Sequence, residues 1–189
     1  MARRFYQLDD DVSAPGRWTL DNPTDARGEE LENPWQFTDG RALNLTGRLN
    51  VPVESAGRPL DFTLAGFSVP VIHVLLAELF TELAPGEVQL LPVDVDGQPE
   101  QFLILVATRL IQCIDDQRSA EVRYWRPEDG LPEKVGQYSA VHGMRIDPAR
   151  VGEARIFRPE GWPGVLIVSE ELKEALERIR ATGVKFTEV

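Results

Sequence analysis

Val165-Leu166-Ile167-Val168-Ser169-Glu170-Glu171-Leu172-Lys173-Glu174-Ala175-Leu176-Glu177-Arg178-Ile179-Arg180-Ala181-Thr182-Gly183-Val184-Lys185-Phe186 carries strand, helix and strand in succession. Four consecutive apolar residues, 165 to 168, read as a buried strand, and Ser169 is a good helix N-cap. Glu170 and Glu171 fall in the first turn, where negative charge complements the helix dipole. Leu172, Ala175, Leu176 and Ile179 form one apolar stripe at helical spacing. Arg178 and Arg180 occupy the last turn, Gly183 is placed as the left-handed stop, and Val184-Lys185-Phe186 closes as a strand. A helix over Glu170 to Ala181 with one apolar stripe needs a sheet to cover that stripe.

Working outward, Val88 to Val95 and Gln101 to Ala107 predict a hairpin about Asp96-Gly97. Its second arm, Phe102-Leu103-Ile104-Leu105-Val106, is apolar on both faces, as a covered central strand requires. A second helix is predicted from Pro70, after Ser68, to Leu83, with Glu78 and Glu82 opposite its apolar face. Short strands fit residues 3 to 8, 47 to 53, Glu121 to Trp125, Val141 to Ile146 and Ala154 to Phe157. Residues 9 to 34 and Arg126 to Gly136 have loop chemistry. The expected fold class is α+β, a mostly antiparallel sheet with two principal helices, in one domain over residues 1–189.

A chain of 189 residues that is 42% hydrophobic has enough apolar material for a core without disulfides or metal staples. Cys113 is the one cysteine, and within Leu110-Ile111-Gln112-Cys113-Ile114 it reads as a buried, inert thiol. Met1-Ala2-Arg3-Arg4-Phe5 meets Asp9-Asp10-Asp11 before any apolar stretch develops, which argues against a secretory signal. The apolar runs near residues 69 to 77 and 102 to 107 are too short to span a bilayer. A cytoplasmic location is therefore expected, and Asn44 in Asn44-Leu45-Thr46 is expected to stay unglycosylated. The net charge of −11 disfavours nucleic acid and anionic membrane as partners and favours a basic protein surface.

No catalytic constellation emerges. His73 and His142 lack a second ligand at metal spacing. Asp9-Asp10-Asp11 lacks the alternating ligands and glycine of a calcium loop, and Asp115-Asp116 reads as a turn. Neither a glycine-rich phosphate loop nor a nucleophile elbow occurs, so no metal or cofactor is expected. What stands out is aromatic residues beside acids in loop-like stretches. Trp18 follows Asp9, Asp10 and Asp11; Trp35 and Phe37 follow Glu29 to Glu32; Trp125 precedes Glu128 and Asp129. Trp18 and Trp125 are candidate binding anchors with Asp9, Asp10, Asp11, Glu128 and Asp129 as an acidic rim, set against the alternative that the tryptophans belong to the core.

Asp9-Asp10-Asp11, Pro15-Gly16-Arg17-Trp18, Pro34-Trp35-Gln36-Phe37-Thr38-Asp39-Gly40, Arg58-Pro59-Leu60-Asp61-Phe62 and Cys113-Ile114-Asp115-Asp116 follow one another in an order that resembles a myxobacterial-type immunity-protein family of bacterial polymorphic toxin systems. Val122-Arg123-Tyr124-Trp125, Met144-Arg145-Ile146-Asp147-Pro148, Ile156-Phe157-Arg158-Pro159 and Val168-Ser169-Glu170 continue the resemblance over essentially the whole chain. It implies an α+β cytoplasmic protein that binds and neutralises a cognate toxin domain, often a basic nuclease, and it brings no catalytic residues. The competing readings are an interaction module unconnected with toxins and an enzyme acting on a cationic or sugar substrate.

Overall fold

Phe102–Ala107 is buried at all six positions, and its alternation divides the core. In the computed structural model, which describes residues 3–189, the first strands are β1 (Phe5–Asp10), β2 (Thr19–Leu20), β3 (Leu49–Val51), β4 (Val53–Ser55), β5 (Phe62–Ala65) and β6 (Val69–His73). Helix α1 (Val74–Leu83) leads to β7 (Val88–Val95), β8 (Phe102–Ala107), β9 (Leu110–Ile111), β10 (Glu121–Tyr124) and β11 (Tyr138–His142). The single turn α2 (Pro148–Val151) precedes β12 (Ile156–Pro159), β13 (Ile167–Ser169), helix α3 (Glu170–Arg178) and β14 (Val184–Glu188).

One five-stranded sheet runs β14-β1-β13-β12-β9 and the other β3-β7-β8-β6-β5. Pairing is antiparallel except for β12 with β9 and β3 with β7. The fold is therefore α+β with mostly antiparallel sheets, as the sequence leads one to expect.

Alternation along the strands sends neighbouring side chains into different cores. Leu103, Leu105 and Ala107 of β8 join Tyr6 and Leu8 of β1, Val168 of β13, and Leu76, Phe80, Leu172 and Leu176 from α1 and α3. Phe102, Ile104 and Val106 face the opposite side, where Trp18, Leu20 of β2 and Phe37 from the N-terminal segment cover them. Phe5, Phe157 and Ile167 point to the other face of the first sheet and pack on Cys113, Ile114, Met144 and Ile146. Three apolar layers result, with both principal helices in the shared one.

Three local expectations are corrected. The helix predicted from Pro70 begins only at Val74, and Val69–His73 is a strand. Val69, Val71 and Ile72 are β-branched and bury on both faces, while Pro70 pairs only with Leu64 of β5, beyond the register with β8. Its missing N–H therefore breaks no β8 ladder bond. The helix is capped by His73, whose Nδ1 accepts from the Leu75 N–H at 3.3 Å. His73 Nε2 lies 3.2 Å from Glu100, so both ring nitrogens have structural partners.

The second correction is the end of α3. Arg180 takes the left-handed conformation at φ 56°, with Ala181 N–H donating to Leu176 O and Arg180 N–H to Glu177 O, a Schellman pattern. Gly183, also at positive φ, serves a close approach instead: a Cβ there would overlap the Phe62 carbonyl oxygen. Third, the strand predicted over Val141 to Ile146 lies earlier, at Tyr138–His142, and stops where Gly143 turns to φ 51°. Ile146 makes only an isolated bridge to Ile114.

Candidate functional site

β10 and β11 form a hairpin outside both large sheets. Val122 pairs with Val141, and a register shift between Arg123 and Tyr124 brings Tyr124 opposite Tyr138. The two rings stack with centroids 4.6 Å apart. Both hydroxyls donate to Asp116, Tyr138 at 2.7 Å. Burial, then the hydrogen bond to Asp116, raises Tyr124 above the ordinary tyrosine range, and burial is also the leading cause of the rise at Tyr138. Neither phenol supplies an oxyanion near neutral pH.

A groove of about 750 Å³ separates this hairpin from the edge of the first sheet, lined by Asp39, Arg41, Leu110, Tyr124, Tyr138 and Glu160 among others. Below Asp39 lies Arg158, 1% exposed, its guanidinium donating to the Pro163 carbonyl at 2.9 Å. Burial lowers its pKa to about 10, opposed by the nearby Asp39 carboxylate. Arg158 therefore stays charged at neutral pH and fixes the loop that forms one wall.

The hairpin's far side forms a second concavity that includes Arg123, Trp125, Arg126 and Asp129. Trp125 is half-buried, with the Lys134 ammonium 5.2 Å from its ring centroid. Glu128 and Asp129 are exposed on the following turn, and Asp129 accepts from the Arg126 N–H at 2.8 Å. Of the predicted grouping, Trp125 and Asp129 line this concavity together, while Glu128 is exposed on the turn between them. Arg126 and Lys134 make the charge here mixed rather than uniformly acidic.

The N-terminal half of the predicted site lies elsewhere, on and after β1. Trp18 is 1% exposed, its indole N–H donates to Thr63 Oγ1 at 2.9 Å, and its ring lies 5.4 Å from that of Phe102. It is a core residue with no face to present to a partner. Asp10 bonds Arg17 at 2.6 Å and accepts from the Leu64 N–H, tying β1 to β5. Asp9 is half-buried and its carboxyl is raised by burial, while Asp11 is lowered by hydrogen bonds from Ser13. These three acids have different local roles.

Sequence reasoning missed the Asp116–Tyr124–Tyr138 cluster. Asp116 reads as a turn residue, and its phenolic partners lie 8 and 22 positions away; only hairpin register unites them. Among the described residues, no group of three or more His, Cys, Asp or Glu is placed to hold a metal ion. Cys113 is buried, and desolvation pushes its thiol up to about 12, so little thiolate forms at neutral pH. No helix among the described residues is long and apolar enough to cross a membrane.

These features describe an acidic α+β protein whose surface groove is walled by an aromatic hairpin. The chain belongs to the immunity protein family Imm11, matched over residues 10–189. Among curated proteins none matches it.

Proposed function

We propose that this immunity protein neutralises a cognate polymorphic toxin by binding it in the cytoplasm, and that the toxin domain is basic and a nuclease. The observation that carries the reading is family membership over nearly the whole chain. The net charge of −11 disfavours nucleic acid and anionic membrane through repulsion of their phosphates, and supports a basic protein partner such as a nuclease, whose cationic groove is complementary to it. The action is stoichiometric: the protein binds the toxin and holds it inactive in a one-to-one complex.

The proposed interface is the β10–β11 hairpin, with Trp125 as anchor and Glu128 and Asp129 at its margin. Aromatic anchors that exclude water carry most interface energy, while marginal charges act on encounter. Co-expression with the toxin domain encoded beside this protein tests the reading. Growth is expected to be rescued and the two chains to co-purify; survival of toxicity in the presence of folded protein would refute it.

A further inference from the structure

A second surface lies between the two principal helices, away from the β10–β11 hairpin. Leu75, Leu79 and Leu83 of α1 face Ala175 and Ile179 across a groove of about 350 Å³, with Glu78, Glu82 and Arg178 at its lips. The helices run antiparallel there: Arg155 donates to the Leu83 carbonyl at the end of α1 and pairs with Glu171 in the first turn of α3. That link fixes the helix spacing at one end of the groove. At the other end Leu75 is 73% exposed and Ile179 51% exposed.

Leu76 and Phe80 already supply the core-facing side of α1, with 1% and 0% exposure. Leu75 is not needed for that packing and sits on an adjacent face. Open leucine and isoleucine on neighbouring helices, with a partly buried apolar floor between them, match the recognition of an amphipathic helix by a groove.

We infer that this groove docks a cationic amphipathic segment of a partner protein, its apolar side chains seated between Leu75 and Ile179 and its lysines or arginines against Glu78 and Glu82. Charge decides the occupant. Glu78 and Glu82 make no ion pair among the described residues, whereas Glu171 and Glu177 are each paired. Arg178 offsets only one of the two free carboxylates. A second copy would bring the same two acids and the same net charge of −11, so self-association meets repulsion that a cationic partner does not. The inference rests on the partner being a basic protein and not on what that partner does.

The test uses the full-length protein and a short synthetic helical peptide with leucines on one face and lysines on the other. A scrambled peptide of the same composition, with no apolar face, is the control. Binding is followed by methyl NMR, with self-association measured by sedimentation. Saturable shifts are expected at the Leu75 and Ile179 methyls, with the scrambled peptide about tenfold weaker or worse. Leu75→Ser and Ile179→Ser alter exposed positions and are expected to fold normally while losing that preference. Glu78→Gln with Glu82→Gln is expected to weaken both peptides. Equal binding of the two peptides would overturn the groove in favour of bulk charge, and wild-type dimerisation abolished by Leu75→Ser would overturn it in favour of a second copy. Because no toxin enters this test, its failure leaves neutralisation standing, and failed growth rescue leaves the groove standing.

Discussion

Tyr124 and Tyr138, fourteen positions apart in the chain, lie face to face across the β10–β11 hairpin and share one acceptor, Asp116. The carboxylate thus links both hairpin arms to the segment that follows Ile114, which is buried at the base. Asp116→Ala is expected to leave the global unfolding midpoint little changed and to speed hydrogen exchange at Val122 and Val141, which face each other across the hairpin ladder. The two hydrogen bonds lost are worth about 1 kcal/mol each, and because the hairpin lies outside both large sheets the loss falls on its local opening rather than on global unfolding. Unchanged exchange at these amides would show that the hairpin is held by other contacts.

Arg180 and Gly183 give opposite results on backbone substitution. Arg180 is a non-glycine residue at φ 56°, a conformation costing about 1–2 kcal/mol that glycine avoids. Arg180→Gly is expected to be neutral or stabilising by about 1 kcal/mol, because glycine's greater unfolded-state freedom offsets part of the gain. Gly183→Ala is expected to be strongly destabilising through overlap with Phe62 and a φ of 84°. Denaturant titration of both variants checks the contrast, and matching signs would refute this account of the α3 terminus.

The legible parts of the fold are those where a local pattern has one solution. The α3 segment has a cap, charged ends and one apolar stripe, and Phe102–Ala107 is too uniformly apolar for anything but a covered element. Val69–His73 reads as helix in sequence because a continuous apolar run does not distinguish a buried strand from a helix, and Pro70 suits both a first helical turn and the start of a strand. Trp18 and Trp125 look alike in sequence, each an aromatic beside acids. What separates them is long-range: Trp18 meets Thr63 and Phe102, whereas Trp125 meets the nearby Lys134. Asp116 illustrates the same limit, since its role depends on strand register.

Trp18→Ala is expected to cost about 3–5 kcal/mol of stability through a core cavity. Trp125→Ala is expected to cost about 1–2 kcal/mol, from one cation–π contact and the partial burial of the indole. Against the cognate toxin, Trp125→Ala is expected to speed dissociation, while Glu128→Gln with Asp129→Asn slows association more than it alters dissociation. Rates at two salt concentrations check this, and a Trp125 variant that binds with unchanged dissociation would remove the hairpin from the interface.

Alkaline stability is linked to Cys113. Its thiol pKa is raised from 9.0 to about 12 in the folded protein, so above pH 9 the unfolded chain loses the proton while the folded chain keeps it. The stabilising contribution is complete below pH 9 and is lost as pH rises to about 12, with a slope of about 1.4 kcal/mol per pH unit. Cys113→Ala is expected to lower stability at pH 7 but to flatten the decline between pH 9 and 10. A parallel decline in both proteins would contradict a buried protonated thiol.

Stoichiometric neutralisation is tested most directly by titrating the purified toxin domain with this protein and measuring residual toxin activity against molar ratio. Residual activity is expected to fall linearly and to reach its end at one equivalent, with intact and active toxin recovered once the complex is dissociated. Complete inactivation by a small fraction of an equivalent, or covalently altered toxin after separation, would contradict it.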